Sequence, residues 1–269
     1  MKQLIVTADD FGYSRQVNKA IIKCFKDGVV TSISLIANTK YFDESIKLLK
    51  QNRKLDVGVH INLTEFRPLT RPKTLIGKDR HFVDKNFWFT GYCENADKDE
   101  VEKEIEAQIL KVLSSGLKIT HINGHNHIHI FPKIVDAVIK LAMKYRINYI
   151  RLPYEEKSST IQKNEMAGII SKFLKTAKSK MLKNKLKTTN DFFGILDMHD
   201  MDAIKLSKIL KSIPNGTSEL MVHPAYIDRK GDDFHQSRQR ENEIKLLTDK
   251  KIMKKIKKLK INLTNFSKL

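Results

Sequence analysis

Short apolar runs of β type alternate with amphipathic helical segments along the chain of 269 residues, and this alternation constrains the fold most. Strands that alternate with helices form parallel sheets with the helices packed outside. The candidate strands are Leu4–Ala8, Thr31–Ala37, Asp56–Val59, Lys118–Ile122, Tyr149–Arg151, Phe192–Leu196, Leu220–Val222 and Lys260–Leu263. The clearest helical segments are Gln16–Asp27, Tyr41–Gln51, Asp97–Leu113 and Lys133–Tyr145. Seven or eight such units favour an α/β fold with a (β/α) barrel over an open sheet.

One domain is predicted over residues 1–269, because neither an internal repeat nor a linker rich in Pro, Gly or Ser divides the chain. Two long segments, residues 67–92 and 155–190, interrupt the alternation and are predicted insertions. Insertions of this length cover active sites or form subunit contacts, and others are tolerated surface excursions. The sequence leaves both interpretations open.

The chain is strongly basic, with 50 Lys and Arg against 31 Asp and Glu and a formal net charge of +19. The excess lies mainly in residues 157–187 and 250–260, and the second stretch has apolar residues at helical spacing with lysines on its outer face. A solvated helix face is the simplest interpretation, and attraction of an anionic ligand is the alternative. Nucleic acid is not the expected partner, because neither zinc-finger spacing nor an aromatic-interleaved basic motif accompanies the charge.

A cytoplasmic protein that does not enter the membrane is expected. Apolar residues make up 41% of the chain, but no apolar run approaches the roughly 18 residues that cross a bilayer. The start of the chain lacks the apolar core of about 7–15 residues that a signal peptide needs. Two cysteines are too few for a disulfide framework.

Polar side chains follow most of the predicted strands, at the point where each strand ends. In chain order these are Asp9 and Asp10, Asn38, His60, the group Asn123, His125, His127 and His129, then Arg151 and His223. The carboxyl ends of parallel strands form the functional face of an α/β fold. The sequence therefore predicts that acids, imidazoles and a guanidinium meet at one end of the barrel.

Two of these groups point to a metal or to catalysis. Asp9 and Asp10 could be capping acids, but two carboxylates directly after an apolar strand repel each other, and a cation relieves that repulsion. Four of the nine histidines lie between residues 121 and 129, all at odd-numbered positions, which would share one face of an extended chain. The strand must turn near Gly124, so His121 is expected to point elsewhere.

A carboxylate and two neutral imidazoles form a three-ligand site that leaves positions for water and substrate, the pattern of a hydrolytic metal centre. A second carboxylate could then act as base, Arg151 could hold it ionised, and a histidine on another strand could protonate the leaving group. The sequence has no Gly-rich dinucleotide or P-loop fingerprint, no His-Glu-x-x-His and no Gly-x-Ser-x-Gly. Hydride transfer, kinase chemistry and serine hydrolysis are therefore poorly supported.

The chain resembles the YdjC-like carbohydrate deacetylases, which include the chitooligosaccharide (diacetylchitobiose) deacetylases. The resemblance rests on the segments Thr7–Gly12 (TADDFG), Asp27–Ser32 (DGVVTS), Val57–His60 (VGVH), Thr120–Pro132 (THINGHNHIHIFP), Arg151–Pro153 (RLP), Val222–Tyr226 (VHPAY) and Ser237–Glu241 (SRQRE). It covers the chain from Leu4 to about Leu247. It implies a distorted barrel related to the NodB-type polysaccharide deacetylases and an enzyme that hydrolyses N-acetyl groups of amino sugars in oligosaccharides.

The resemblance also implies a role for each site residue. Asp10, His60 and His125 would bind the metal, and Asp9 would be the general base. Arg151 would tether that base, and His223 would be the proton donor. His127 would contact the substrate or the metal ligands. Magnesium is the metal that the family implies, and two imidazoles also suit zinc or another transition ion. A homodimer is a further implication of the family.

One residue departs from the family pattern, since Asn123 stands where the family usually has an acid. An amide can still accept a hydrogen bond but carries no charge, so the metal site is expected to be weaker or differently tuned. A phosphorylated sugar would suit the basic surface, and a metal-dependent phosphoesterase or other hydrolase on the same barrel face is the alternative function.

Overall fold

The structure is a computed structural model, and it describes residues 1–84, 95–155, 165–198, 200–227 and 236–269. Within these ranges eight strands form one parallel sheet. They are β1 (Lys2–Phe11), β2 (Ser32–Leu35), β3 (Asp56–Ile61), β4 (His121–Gly124), β5 (Tyr149–Ile150), β6 (Asp191–Phe193), β7 (Gly216–Val222) and β8 (Ile261–Leu263). The predicted α/β fold with a parallel sheet is confirmed.

The strand order is β5-β4-β3-β2-β1-β7-β6, with β8 paired to β1. The central strand β1 pairs with β7 along most of its length, whereas its other edge pairs first with β8 and then, from Thr7 onward, with β2. Among the described residues β5 and β6 do not pair with each other. Instead Lys187 bridges to Tyr149 of β5, and the Asn190 backbone N–H donates to the Thr217 carbonyl of β7 (2.8 Å). The sheet is therefore a curled half-barrel, the distorted form of the predicted barrel.

Helices alternate with the strands and bury an apolar face against the sheet. They are α1 (Arg15–Lys26), α2 (Phe42–Gln51), α3 (Lys98–Ser114), α4 (Ile134–Lys144), α5 (Glu165–Lys183), α6 (Ala203–Ser212), α7 (Arg238–Leu247) and α8 (Lys250–Lys258). In α1 the buried residues Val17, Ala20 and Ile21 recur at helical spacing, and the Ser14 side chain caps the first turn by accepting from Val17 N–H. In the predicted basic helix, α8, Ile252 and Ile256 are buried. Over the ranges described, no helix is long and apolar enough to cross a membrane.

Both predicted insertions lie partly outside the described residues, at 85–92 and 156–164. The described part of the first is held on α3, because Thr70 N–H donates to Glu104 (2.8 Å) and Thr74 N–H donates to Glu100 (2.8 Å). The second contains α5, which connects β5 to β6. Its assignment as an insertion stays a prediction.

Strand ends differ from the predicted ones where the backbone turns. The sixth strand was expected to run to Leu196 but ends at Phe193, because Gly194 follows with a φ of +109°. A Cβ at Gly194 would lie 2.4 Å from the Met221 carbonyl oxygen, so the chain turns here against β7. Apolar patterning alone does not locate such a turn.

Polar side chains form a buried column inside the half-barrel, below the carboxyl ends of the strands. The His121 ring lies within hydrogen-bond distance of Thr120 Oγ1 (Nδ1, 3.0 Å) and of Ser34 Oγ (Nε2, 3.4 Å). Phe266, in a 3-10 turn near the end of the chain (Phe266–Lys268), stacks on the same ring at 4.1 Å between centroids. The ring fits because the neighbouring β3 residue is Gly58, where a Cβ would lie 2.3 Å from His121 Nε2.

Replacing Gly58 by Ala is expected to lower the free energy of unfolding by about 1–3 kcal/mol, because the added methyl collides with a buried ring that cannot move away. Chemical denaturation followed by circular dichroism measures the change. Gly77→Ala is the matched control, since a Cβ there would meet only the Asp79 carboxylate, at 3.3 Å. Equal destabilisation by the two substitutions would contradict this account of the column.

Candidate metal centre and active site

A bulge at the end of β1 turns two neighbouring carboxylates toward the same cavity. Successive side chains of a regular strand point to opposite faces of the sheet. The pairing of β1 with β2 shifts register between Ala8 and Phe11, and Asp10 has a φ of +67°. Such a bulge re-aims a side chain. Asp9 and Asp10 are both buried as a result, with about 1% of each residue exposed.

Two imidazoles from β3 and β4 meet one oxygen of Asp10. Nε2 of His60, near the end of β3, lies 3.5 Å from Asp10 Oδ1, and Nδ1 of His125, directly after β4, lies 3.0 Å from it. Ligand atoms of Asp10, His60 and His125 all lie within 4.8 Å of one another. Neighbouring ligands about 2.1 Å from an ion are about 3.0 Å apart in an octahedral site and about 3.4 Å apart in a tetrahedral one. The donor set therefore fits a divalent ion.

The second nitrogen of each imidazole has its own partner. Nδ1 of His60 lies 2.7 Å from Asn123 Oδ1, and Nε2 of His125 lies 3.0 Å from Glu65 Oε1. The amide of Asn123 has a defined orientation, because its Nδ2 donates to Ser34 Oγ (2.7 Å) and to Asp9 Oδ1 (3.2 Å). Its oxygen thus accepts from His60 Nδ1–H and leaves the Nε2 lone pair directed at the ligand cluster. Partners of this kind fix the tautomer and orientation of metal-binding histidines.

Arg151, directly after β5, lies between two buried carboxylates. Its Nη2 donates to Asp9 Oδ1 (2.9 Å) and to Glu219 of β7 (2.7 Å), and its Nη1 donates to the other Asp9 oxygen. Burial alone would raise the pKa of Asp9, but the Arg151 guanidinium outweighs it and holds the pKa well below its usual range. Asp9 is therefore ionised, and its two oxygens are fixed in direction.

Helix α7 supports the same site from outside the sheet. Arg240 Nη2 donates to Asp10 Oδ2 (3.2 Å), and Arg240 Nε donates to the backbone carbonyl of His223 (2.9 Å). The His223 backbone N–H donates to Glu243 (2.6 Å). Each of the adjacent aspartates thus has its own guanidinium, so the two arginines relieve the repulsion that the sequence indicated.

His223 follows β7, and its Nε2 lies 4.0 Å from Asp9 Oδ2. Burial lowers the pKa of His223 to about 4, so the ring is neutral at pH 7. His125 differs, because its hydrogen bonds to Asp10 and Glu65 outweigh the effect of burial and raise its pKa to about 10 in the metal-free chain. A metal ion that binds at Nδ1 must displace a proton there.

The histidines after β4 do not share one face. The chain leaves the strand at Gly124 and forms a 3-10 turn over His125–Ile130, in which Asn126 and His127 have positive φ angles. His129 folds back against Gly124 and lies 3.0 Å from the Arg151 carbonyl oxygen, whereas the His127 ring lies 6.4 Å from that of Phe192. Residues at odd-numbered positions share a face only while the chain is extended, and the chain is no longer extended after Gly124. Among these histidines only His125 joins the ligand cluster.

Sequence reasoning did not single out Glu65, Glu219 or Glu243, and it placed Arg240 only within a matched segment. Glu219 could have been found from the sequence, because it interrupts an apolar strand and a buried acid is rare unless it is paired. Glu65 lies in a loop and Glu243 on a helix far along the chain, and nothing in their local sequence marks them. Asn38, which was noted after the second strand, donates to the backbone of the Glu65 loop (3.1 Å) and not to the ligand cluster.

The family model described as YdjC-like protein matches residues 3–258. The chain belongs to this family. A protein named carbohydrate deacetylase from Thermoanaerobacter pseudethanolicus is 35% identical over 276 residues, which cover 99% of each chain. The YdjC-like resemblance drawn from the motifs is confirmed.

Solved structures share the fold of this YdjC-like chain. A protein from Enterococcus faecalis V583 that is named for cellobiose-phosphate cleavage superposes with a TM-score of 0.83 at 24% identity, and the match covers 99% of this chain and 98% of that one. A mutant of a CE4 family pseudoenzyme, a protein of Bacillus anthracis, superposes with a TM-score of 0.51 at 13% identity, covering 100% of this chain and 67% of that one. These likenesses confirm the fold that the sequence predicted.

The metal-free chain is expected to lose stability as the pH falls from 6.5 toward 4. Burial lowers the pKa of His121 and His129 to about 3 and that of His223 to about 4, so the unfolded chain takes up protons in this window and the folded chain does not. The loss is on the order of 1 kcal/mol per histidine per pH unit. The contribution of His125 is complete below pH 6.5 and fades toward pH 10, so it does not oppose this trend. Glu243, whose pKa burial raises to about 7, does oppose it, but this single carboxyl is outweighed by the three histidines together.

Urea denaturation in the presence of a chelator, at pH 7 and at pH 5, measures the effect. A lower free energy of unfolding at pH 5 is the expected result. Equal or greater stability at pH 5 would show that these buried imidazoles do not resist protonation.

Proposed function

We propose that this chain is a metal-dependent hydrolase that removes N-acetyl groups from amino sugars in oligosaccharides and releases acetate. The observation that carries the proposal is the meeting of Asp10, His60 and His125 around one point at the carboxyl ends of three different strands. The full-length relatives named carbohydrate deacetylase support the substrate class. We place the enzyme in the cytoplasm, a reducing compartment that suits a chain with only two cysteines.

Asp10, His60 and His125 would hold one divalent ion, with magnesium as the first candidate and zinc as the second. Such an ion polarises the amide carbonyl and lowers the pKa of a water molecule. The chain's own part is to direct three donor atoms at one point. Asn123 and Glu65 hold the far nitrogens of the two rings, and Arg240 holds the second oxygen of Asp10.

Asp9 would accept the proton of the attacking water. Arg151 fixes both of its oxygens, and Glu219 shares the positive charge of that guanidinium, so part of the proton affinity of Asp9 is retained. Because Asp9 is ionised in the folded chain, its carboxylate can accept a proton.

His223 would protonate the nitrogen of the departing amine. Its ring is neutral at rest, so the proton that it donates must first reach it from within the site. Asp9, whose Oδ2 lies 4.0 Å from His223 Nε2, is the proposed source. One water proton thus passes through Asp9 and His223 to the amine, the water oxygen joins the acetyl carbon, and the C–N bond breaks. The second water proton leaves with the acetyl group as acetic acid and then passes to the free amine, so the products are acetate and the ammonium form of the amino sugar.

His127 is a candidate contact for the sugar. Among the described residues its buried Nδ1 has no hydrogen-bond partner, and burial keeps its pKa well below the ordinary value. A neutral imidazole at the edge of the site can donate to or accept from a hydroxyl or an acetamido group. This role, like those of Asp9, Arg151 and His223, is part of the proposal.

The purified protein, loaded with magnesium or with zinc, is expected to release acetate from N-acetylglucosamine-containing disaccharides. A screen that includes mono- and disaccharides with and without a phosphate group identifies the form of the substrate. Phosphate is measured in the same reactions, because a phosphoesterase would use the same barrel face. Release of phosphate without acetate would contradict the proposal.

His125→Ala is expected to lose both the bound ion and turnover, since it removes a ligand and the Asp10 partner together. Metal content after gel filtration and acetate release measure the two effects. Retention of one ion per chain with normal turnover would remove His125 from the ligand set.

Asp9→Asn and His223→Ala are expected to keep the ion but to lower kcat by about 10²–10⁴-fold, because each removes one proton-transfer group. Metal content and acetate release are measured for both variants. Asp136→Asn, which changes an exposed carboxylate on α4, is the matched control and should behave as wild type. Full activity of Asp9→Asn would show that another group is the base.

A further inference from the structure

The loop that follows β3 brings a carboxylate to the outer nitrogen of His125. Glu65 Oε1 lies 3.0 Å from His125 Nε2, and the Glu65 side chain is 29% exposed at the mouth of the site. Because Nε2 meets this acceptor, the ring presents Nδ1 to Asp10 and to His60. The two imidazoles of the ligand cluster are thus supported differently, His60 by a neutral amide and His125 by an anion.

The loop is built to hold Glu65 in place. The side-chain oxygen of Asn62 accepts from the backbone N–H groups of Thr64 and Glu65 (both 3.1 Å), and its amide nitrogen donates to the Glu65 carbonyl (2.8 Å). Gln108 of α3 in turn accepts from the Asn62 backbone N–H (3.0 Å) and donates to its carbonyl (2.7 Å). Asn62 and Gln108 have no exposed surface. Buried polar networks that are fully satisfied are rigid, so Glu65 has little freedom to move away from His125.

Aromatic contacts support the carboxylate from the other side. The Tyr13 side chain makes a hydrogen bond to Glu65, and the Tyr13 ring lies 5.0 Å from that of Phe66 and 6.3 Å from that of His125. Phe66 has a φ of +66°, which is unfavourable for an aromatic residue and persists only where surrounding contacts hold it. The backbone of this loop is therefore strained at Phe66, the residue next to Glu65.

We propose that Glu65 is a positioning residue for metal binding, which holds His125 by Nε2–H so that Nδ1 faces the ion. This inference rests on the metal site of the proposed function. A carboxylate on the outer nitrogen fixes the tautomer, strengthens the imidazole as a ligand and adds negative charge near the cation. It also replaces part of the negative charge that is absent at Asn123, the partner of the other histidine.

Zinc titration of the metal-free protein by calorimetry at pH 8 tests the assignment. Glu65→Ala is expected to weaken zinc binding about 10–100-fold. Glu65→Gln, which keeps an acceptor for Nε2–H but not the charge, is expected to recover part of that loss. Glu100→Gln is the matched control, because this α3 carboxylate accepts backbone N–H groups away from the site, and it should bind zinc as wild type does.

A spectroscopic measurement separates positioning from a general loss of structure. In protein labelled with ¹⁵N-histidine and loaded with zinc, the His125 Nε2–H proton is expected to be visible and protected from exchange. It should exchange faster in Glu65→Ala and be protected again in Glu65→Gln. If Glu65→Ala bound zinc as tightly as the wild-type protein does, the assignment of Glu65 would be overturned and the proposed metal site would stand. Absence of zinc binding by the wild-type protein would overturn the metal site itself, and this inference with it.

Discussion

Two adjacent carboxylates that face one cavity are the constraint on which the site depends. The bulge that turns Asp10 beside Asp9 places two negative charges in a buried space, and such charges persist only when they are paired and hydrogen-bonded. The chain supplies Arg151 to one and Arg240 to the other. Each arginine comes from a different part of the chain, so the carboxylates can form their site only when the whole half-barrel has folded.

This pairing also separates the roles of the two acids. Asp9 directs both oxygens at Arg151, and Asn123 donates to one of them, so its negative charge is fixed and surrounded by donors. Asp10 keeps Oδ1 for the two imidazoles and gives only Oδ2 to Arg240. These different environments underlie the proposed assignment of Asp9 as base and Asp10 as metal ligand. Environment rather than residue type decides which carboxylate does which task.

The sequence predicted the parts of the site that lie at strand ends. Asp10 and His60 follow apolar runs, and the parallel sheet brings such positions together for a general reason. Glu65 and Arg240 could not be predicted in this way, because one depends on an Asn-centred loop and the other crosses from α7 to a residue 230 positions earlier. The later histidines would share one face only in an extended chain, and the turn expected near Gly124 instead lets His129 fold back against that glycine. The alternation of strands and helices predicts that polar residues lie at the carboxyl end of the sheet. Side-chain packing decides which of these residues contact one another.

Diffraction from crystals grown with zinc or manganese, recorded at the absorption edge of the metal, tests the central claim most directly. The account predicts one anomalous peak per chain, with the ion about 2.0–2.3 Å from Asp10 Oδ1, His60 Nε2 and His125 Nδ1. A fully occupied ion held by other residues, with these three atoms making no contact to it, would contradict the account.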